Sequence, residues 1–443
     1  MSESATSSII LPAAGPLPLE VDFLGGRLTS DGGLAWIAEA DEALGLTAAL
    51  AAVIPDWRRR RGQHDLATLV AQRIYQIACG YEDQNDADTL RRDPLLKQVC
   101  GRLPESGLDL ASQPTFSRLE NAISACTCYR LAMALGQVYL QERERSGVPT
   151  HLVLDLDGTD DPTHGEQEGT AYHGYFRQHQ YFPLLVFDGQ TNQLITAVLR
   201  RGTVHASHGV VAILTRIVRT LRARWPNVTL EVRADSGFAI PALYAWCEAE
   251  GIDYTIGLVP NARLAHAAAP LQTEAAAQGA AQGGIKVRLL GETIYQADSW
   301  PHPRRVIIKA EQLLKGPNTR FVVTSRTQSP ERVYAWYTER GESENWIKDL
   351  KTGCFADRLS CHRFWANQVR LLFHAAAYWL LDTLRRWLTT AGVARMTLDT
   401  LRLRLIKIGG WVRERLDRVR LRLATSHPNE FWWRVLAARL SPS

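Results

Sequence analysis

Paired cysteines, long apolar runs and a large excess of charge are all missing from this sequence, and each absence excludes a class of protein. The seven cysteines, Cys79, Cys100, Cys126, Cys128, Cys247, Cys354 and Cys361, are odd in number, scattered and without C-x-x-C spacing. They do not suit a disulfide framework, and a reduced cytoplasmic setting is expected. No segment approaches the ~20 apolar residues of a membrane span. The longest candidate, "LLFHAAAYWLL" at 371–381, is short, contains His374 and reads as a buried helix. The opening "MSESATSSIILPAAGPLP" has no basic start before an apolar core and makes a poor signal peptide. With 22% charged and 46% hydrophobic residues and a net charge of only +5, the chain is no disordered polyelectrolyte and can build a core.

What is present is length and pattern. At 443 residues and 49.5 kDa the chain exceeds one ordinary core, so two to four units are expected. Basic residues are uneven, with "RRRR" at Arg58 to Arg61 and a dense run near the C-terminus. Residues 1–148 read as a helical, DNA-binding domain. In "QHDLATLVAQRIYQIACGYED", Leu66, Leu69, Val70, Ile74 and Ile77 share one helical face. In "LASQPTFSRLENAIS", Ser112 is a candidate N-cap, Pro114 lies in the first turn and Arg118 follows. This could be the second helix of a helix-turn-helix, although any capped helix carries the same signals.

From 149 to 258 the pattern turns to strands. "THLVLDLDGT", "YFPLLVFDG" and "QLITAVLRRG" read as three strands, the last two joined by the turn "DGQTN". A helix follows in "SHGVVAILTRIVRTLRARWP", capped by Ser207 and stopped by Pro226. Then come the strand "VTLEVRADSGF" and a further helix and strand in "PALYAWCEAEGIDYTIGLV". That order is the ribonuclease-H-like arrangement, an α/β fold in which the first and fourth strands lie parallel and adjacent. Asp157 and Asp235, each at a strand end, then become neighbours. The D-x-D-G-T of "DLDGT" also opens the haloacid-dehalogenase phosphatases. Those require a helix soon afterwards and a later acidic pair, whereas here a hairpin follows and "RADSGF" supplies one acid.

Residues 259–328 read as a β-rich insertion, with the Ala/Gln/Gly-rich "RLAHAAAPLQTEAAAQGAAQGG" as a surface excursion. The core is expected to resume over 329–390, where Ser329-Pro330-Glu331 starts a helix. On it Tyr337, Arg340, Glu344 and Lys351 fall at one-face offsets of 3, 4 and 7. A polar stripe is ordinarily a solvated surface. Phosphoryl transfer, however, needs about three acidic ligands to hold two hard divalent ions ~4 Å apart, and Glu344 fits the third place. Gly341 inside the stripe costs about 1 kcal/mol of helix stability, so the helix is expected to break or restart there. His164, Glu166, Glu168 and His173 sit in a glycine-rich stretch that reads as a loop, and Cys354, Cys361 and His362 lack a fourth zinc partner. The region 391–443 is basic. Its "TLRLRLIKIGGWVRERLDRVRLRLATS" reads as a hairpin about Gly409-Gly410, offering Arg402, Arg404, Arg413, Arg415, Arg418, Arg420 or Arg422 to phosphates.

The spacing Tyr, two residues, Arg, three residues, Glu, six residues, Lys resembles the Y-R-E-K signature of DDE insertion-sequence transposases with a β-rich insertion before the glutamate. The blocks "GRLTSDGGL", "YQIACGYEDQNDADTLRRDPLLK", "SQPTFSRLEN", "DGTDDPTHGEQEGTAYHGY", "RADSGF" and "FADRLSCHRFWANQVRL" together resemble insertion-sequence family 1380 over nearly the whole chain. The resemblance implies that Asp157, Asp235 and Glu344 form a catalytic triad binding two Mg²⁺ ions, with Mn²⁺ able to substitute. Asp155 is the rival for the first place; Asp157 lies nearer the strand end, as the family's first aspartate does. Asp160 and Asp161 read as loop acids.

Tyr337, Arg340 and Lys351 resemble family residues that grip phosphates, and Lys348, Arg118, Arg402, Arg404, Arg415, Arg418 and Arg422 are candidate DNA contacts. Relatives with this motif cut the second strand through a DNA hairpin helped by a stacking aromatic residue, for which Trp300 is the candidate here. The implied activity is cut-and-paste transposition, with inverted-repeat ends and target duplex as partners, a homodimer on DNA and a bacterial cytoplasmic setting. A catalytically idle DNA binder and a structure-specific ribonuclease-H-like nuclease are the alternatives.

Overall fold

Apolar residues dominate the segment before the first aspartate pair, and in the computed structural model they form β1, His151–Gly158, buried along most of its length. The structure describes residues 9–11, 17, 19–58, 62–174, 176–282 and 285–440. Arg59, Arg60 and Arg61 of the basic run, Tyr175 and much of the N-terminal stretch lie outside the described residues. Contacts group the chain into two units, Met1–Ala52 with Asp56–Leu119 and Leu380–Ser443, and Val53–Pro55 with Glu120–Trp379.

The larger unit is built on an eight-stranded sheet. Its strands are β1, β2 (Leu184–Asp188), β3 (Leu194–Val198), β4 (Thr229–Ala234), β5 (Asp253–Leu258), β6 (Val287–Tyr295), β7 (Arg304–Leu313) and β8 (Gly316–Thr324). They run in the order β6-β7-β8-β5-β4-β1-β2-β3. β1 pairs parallel with β4, β4 parallel with β5, and β2 antiparallel with both β1 and β3. That is the ribonuclease-H-like order read from the sequence. The helix Val210–Arg224 supplies the crossover that a parallel β1–β4 pair requires. It begins at Gly209, in a left-handed conformation, and not at the expected Ser207.

The insertion is a continuation of this sheet. β8 pairs antiparallel with β5, and β6 and β7 extend the edge. The Ala-rich stretch expected as an excursion is a helix, Ala262–Ala281, N-capped by Asn261 and packed on β6 and β7. Alanine has the highest helix propensity, and over Ala262–Ala281 that outweighs Gly279 and Pro270. The segment read as a loop around His164 to His173 is irregular over 164–170, and its end, Ala171–His173, joins a small sheet with Gln178–Tyr181 and Asp161–Pro162.

The other unit is helical, as its periodicity suggested. Leu66–Cys79 is N-capped by Asp65 and buries Leu69, Val70, Ile74 and Ile77. Gln113–Ala122 forms at the expected place. The C-terminal hairpin is displaced from its expected position. Leu398–Leu401 and Arg402–Ile406 are helical, and the hairpin proper is Gly410–Glu414 with Val419–Leu423. The cause is visible in burial: Leu398, Leu401, Leu405 and Ile406 are buried at helical spacing, so the R-L-R-L alternation is coincidental. Leu28–Thr29 adds a third strand to the hairpin. Nearby, Gly33 donates its backbone N–H to Ile406, and a Cβ at Gly33 would sit 1.9 Å from the Leu405 carbonyl oxygen. The glycine pair in "SDGGL" is thus required by close backbone approach.

Candidate active site

The parallel register places Ala234 beside Leu156, so Asp235 and Asp157 lie one step beyond the last residues that β4 and β1 pair with each other. Asp235 turns the chain into the short helical turn Ser236–Phe238, its Oδ1 accepting from the Gly237 N–H at 2.9 Å. Asp157 points to Arg340, which donates from Nη1 to Oδ2 at 2.8 Å. Another Arg340 nitrogen lies 3.6 Å from Glu344, whose side chain is 71% exposed. One guanidinium therefore lies against the first and third candidate acids.

The helical segment reaches these strands because it is anchored two residues earlier on the same strand. Arg233 of β4 holds Asp155 of β1 through two bonds, 2.6 Å and 2.7 Å, with both side chains buried. It also donates to the Trp336 carbonyl at 2.7 Å, fixing the helix Pro330–Thr338 against the sheet. Burial opposes a charge on Arg233, but the Asp155 carboxylate holds its pKa above the ordinary value. Asp155, the rival for the first acid, is thereby committed to the core.

The helix does restart at the glycine: Pro330–Thr338 ends, Gly341–Lys348 follows and a π-helical turn runs over Asp349–Gly353. The break does not disperse the stripe. Tyr337 packs against β5, where a Cβ at Gly257 would fall 2.6 Å from the Tyr337 hydroxyl and 3.0 Å from the Ser236 nitrogen. Gly257 was not singled out in the sequence; only a glycine admits both neighbours. Lys351 donates to the Asp160 carbonyl and carboxylate at 2.7 Å and 2.9 Å, so Asp160 is a lysine partner as well as a loop acid. Lys348 is exposed on the same helical segment.

Burial pushes the Asp157 pKa up to about 6; Arg340 opposes the shift, and Asp235 and Glu344 add to it. Asp235 and Glu344 thus both lie within electrostatic range of Asp157. All are hard oxygen donors of the kind that bind Mg²⁺ or Mn²⁺. Among the described residues no three His, Cys, Asp or Glu side chains converge closely enough to hold an ion. The donor set fits a divalent ion in chemistry, and Arg340 supplies positive charge beside Asp157.

Other candidates separate by burial. Trp300 is 6% exposed, packed edge-on against Tyr244 and Tyr295 with the Arg304 guanidinium 5.2 Å from its ring. Its faces are taken, which corrects its reading as an open stacking platform. Arg402 is also interior: it donates to the Ala78 carbonyl at 3.0 Å and pairs with Asp399, so it is withdrawn from the phosphate-facing group. Arg404, Arg415, Arg418 and Arg422 are exposed, with Arg422 lying over the Trp411 ring. Arg118 is exposed on its helix. All seven cysteines are free thiols. Among the described residues no helix is long and apolar enough to cross a membrane.

A family model described as Transposase DDE domain group 1 matches residues 12–443. No curated protein matches the chain. Among solved structures, a cryo-EM structure of the piggyBac transposase synaptic complex with hairpin DNA is similar at 11% identity and a TM-score of 0.43, over 86% of this chain and 80% of that one.

Proposed function

Because the chain belongs to the DDE transposase group 1 family, we propose that this DNA transposase mobilises an insertion sequence of the family-1380 type by cut-and-paste. It binds the inverted-repeat ends of its element, cuts both strands and joins the freed 3′-hydroxyls to target duplex. The observation that carries the site assignment is that Asp157 and Asp235 lie at the C-terminal ends of adjacent parallel strands, with Arg340 linking Asp157 to Glu344.

Asp157, Asp235 and Glu344 would hold two Mg²⁺ ions, replaceable by Mn²⁺. When bound, such ions supply activation of water or a 3′-hydroxyl and stabilisation of the leaving oxygen. The chain's own groups do the positioning. Arg340 can exchange a carboxylate for a phosphate, since a guanidinium matches both in geometry. Tyr337 offers a hydroxyl beside Asp235, and Lys351 a second cation at the other end of the stripe. Arg404, Arg415, Arg418 and Arg422 suit backbone phosphates. Two ends must be held together, so a homodimer is expected on DNA, in the bacterial cytoplasm and on the nucleoid.

The test is incubation of purified protein with paired element ends, a supercoiled target and Mg²⁺. Joined end–target products support transposition. Cuts without joining would support a ribonuclease-H-like nuclease, and binding without cuts an idle DNA binder.

A further inference from the structure

The unit that contains Asp56–Leu119 holds a cavity of about 330 Å³ that the active-site account does not use. Arg58, His64, Arg91, Ser112, Thr115 and Arg118 contribute to its walls, and Asp109 is its acidic member. The carboxylates nearby are already engaged. Asp56 is held by Arg58 through bonds of 2.8 Å, and Asp109 is divided between Arg91 at 3.2 Å and Arg92 at 3.4 Å. Arg102 donates to the carbonyl of the lining residue Gln63 at 2.9 Å. Cations therefore outnumber the acids that could neutralise them.

Several donors facing this space are unspent. Arg118 makes only a 3.5 Å contact to the Thr115 hydroxyl and pairs with no carboxylate among the described residues. The Arg91 Nε and the His64 Nδ1 are buried without a hydrogen-bond partner. Burial, then Arg102, Arg91 and Arg58, push the His64 pKa below its ordinary value, which marks the cavity as electropositive. Ser112 and Thr115 add hydroxyls at the start of the ten-residue helix Gln113–Ala122. Convergent guanidinium, imidazole and hydroxyl donors with no acceptor of their own are the chemistry that receives a phosphate.

We propose that this cavity binds a phosphodiester of the DNA backbone, with Arg118 as its principal free cation and Arg91, His64, Ser112 and Thr115 as supporting donors. The choice of a DNA phosphate rests on the transposase reading above. The site positions the duplex and carries no sequence information by itself, because phosphates are common to all sequences.

The experiment compares wild type, Arg118→Ala and Arg118→Lys for binding to a labelled duplex bearing the element's end, in EDTA, across a range of salt. Phosphate-ethylation interference is run on the same complexes. Arg118 is exposed and weakly bonded, so both variants are expected to fold, which thermal unfolding verifies. Arg118→Ala is expected to lower the log–log salt slope by about one and to lose sensitivity to ethylation at one particular phosphate. Arg118→Lys keeps the slope. An unchanged slope and interference pattern in Arg118→Ala would overturn the proposal. So would competition by inorganic phosphate, at constant ionic strength, that leaves the ethylation pattern intact, because that describes a small-anion site. Wild-type cleavage in Mg²⁺ is scored separately, so a failed pocket with intact cleavage leaves the transposase reading standing.

Discussion

Two aspartate–arginine pairs sit two residues apart on one strand. Asp155 and Arg233 are 1% and 0% exposed and joined by two short bonds. Asp157 and Arg340 are 13% and 14% exposed and joined by one bond, with Glu344 and Asp235 in electrostatic reach. The first pair lies within the β1–β4 pairing, and the second lies just past its last paired residues, where only β2 still flanks β1. A buried, doubly bonded pair cannot part without stranding a charge, whereas a pair at the sheet's end can exchange partners. The same residue types thus make an anchor in one place and, on the proposed assignment, exchangeable ligands in the other.

The comparison breaks most visibly at the anchor. Asp155→Ala leaves the buried Arg233 charge answered only by the half-exposed Glu339 carboxylate 3.3 Å away, and a loss of about 3 kcal/mol in unfolding free energy is expected from denaturant titration. Asp157→Asn is expected to act in the opposite direction. The folded-state pKa of about 6 lies above that of an unfolded aspartate, ~3.9. The folded protein therefore holds the proton more tightly, and that stabilisation is complete below pH ~4 and lost as pH rises through about 6. The asparagine variant has no such loss. In EDTA it should gain up to about 2 kcal/mol on wild type between pH 4 and 7, read from unfolding midpoints at the two pH values.

Gly257→Ala probes how the stripe is seated. The added Cβ meets the Tyr337 hydroxyl and the Ser236 backbone, so a cost of about 1–3 kcal/mol is expected, with a slower cleavage step. The smallest contrast repeats the theme in the other unit, again two residues apart. Arg402→Ala removes interior bonds and should cost about 1–2 kcal/mol without altering the salt dependence of DNA binding. Arg404→Ala should leave the melting temperature nearly unchanged and lower the salt slope by about one. Equal behaviour of the two would contradict the division into anchors and contacts.

The sheet order was legible because β1 to β5 carry strong local patterns: apolar runs, a hairpin turn and a crossover helix of evident period. The pairing of Asp157 with Asp235 followed from that order alone. Glu344, Arg340 and Lys351 were legible as a stripe, although the helix carrying them is broken at Gly341 and closes on the site through tertiary anchors. Those anchors were not legible. Nothing local distinguishes Asp155 from Asp157, and the difference is where the β4 pairing stops and the helix Pro330–Thr338 is anchored. Trp300 was misjudged because its polar sequence neighbours say nothing of Tyr244, Tyr295 and Arg304, which enclose it. The Ala-rich helix and the R-L-R-L segment failed for a related reason: composition and short alternation each admit two structures, and packing selects one.

The central claim, that Asp157, Asp235 and Glu344 form one phosphoryl-transfer centre, is tested most directly by cleavage of an end-labelled duplex bearing the element's terminus. Wild type, Asp157→Asn, Asp235→Asn and Glu344→Gln are compared in Mg²⁺ and in EDTA, with DNA binding measured in the same samples. The expected result is metal-dependent cutting at the terminus by wild type and a loss of at least about a hundredfold in each variant with binding retained. Cutting by Glu344→Gln or Asp235→Asn at the wild-type rate would contradict it.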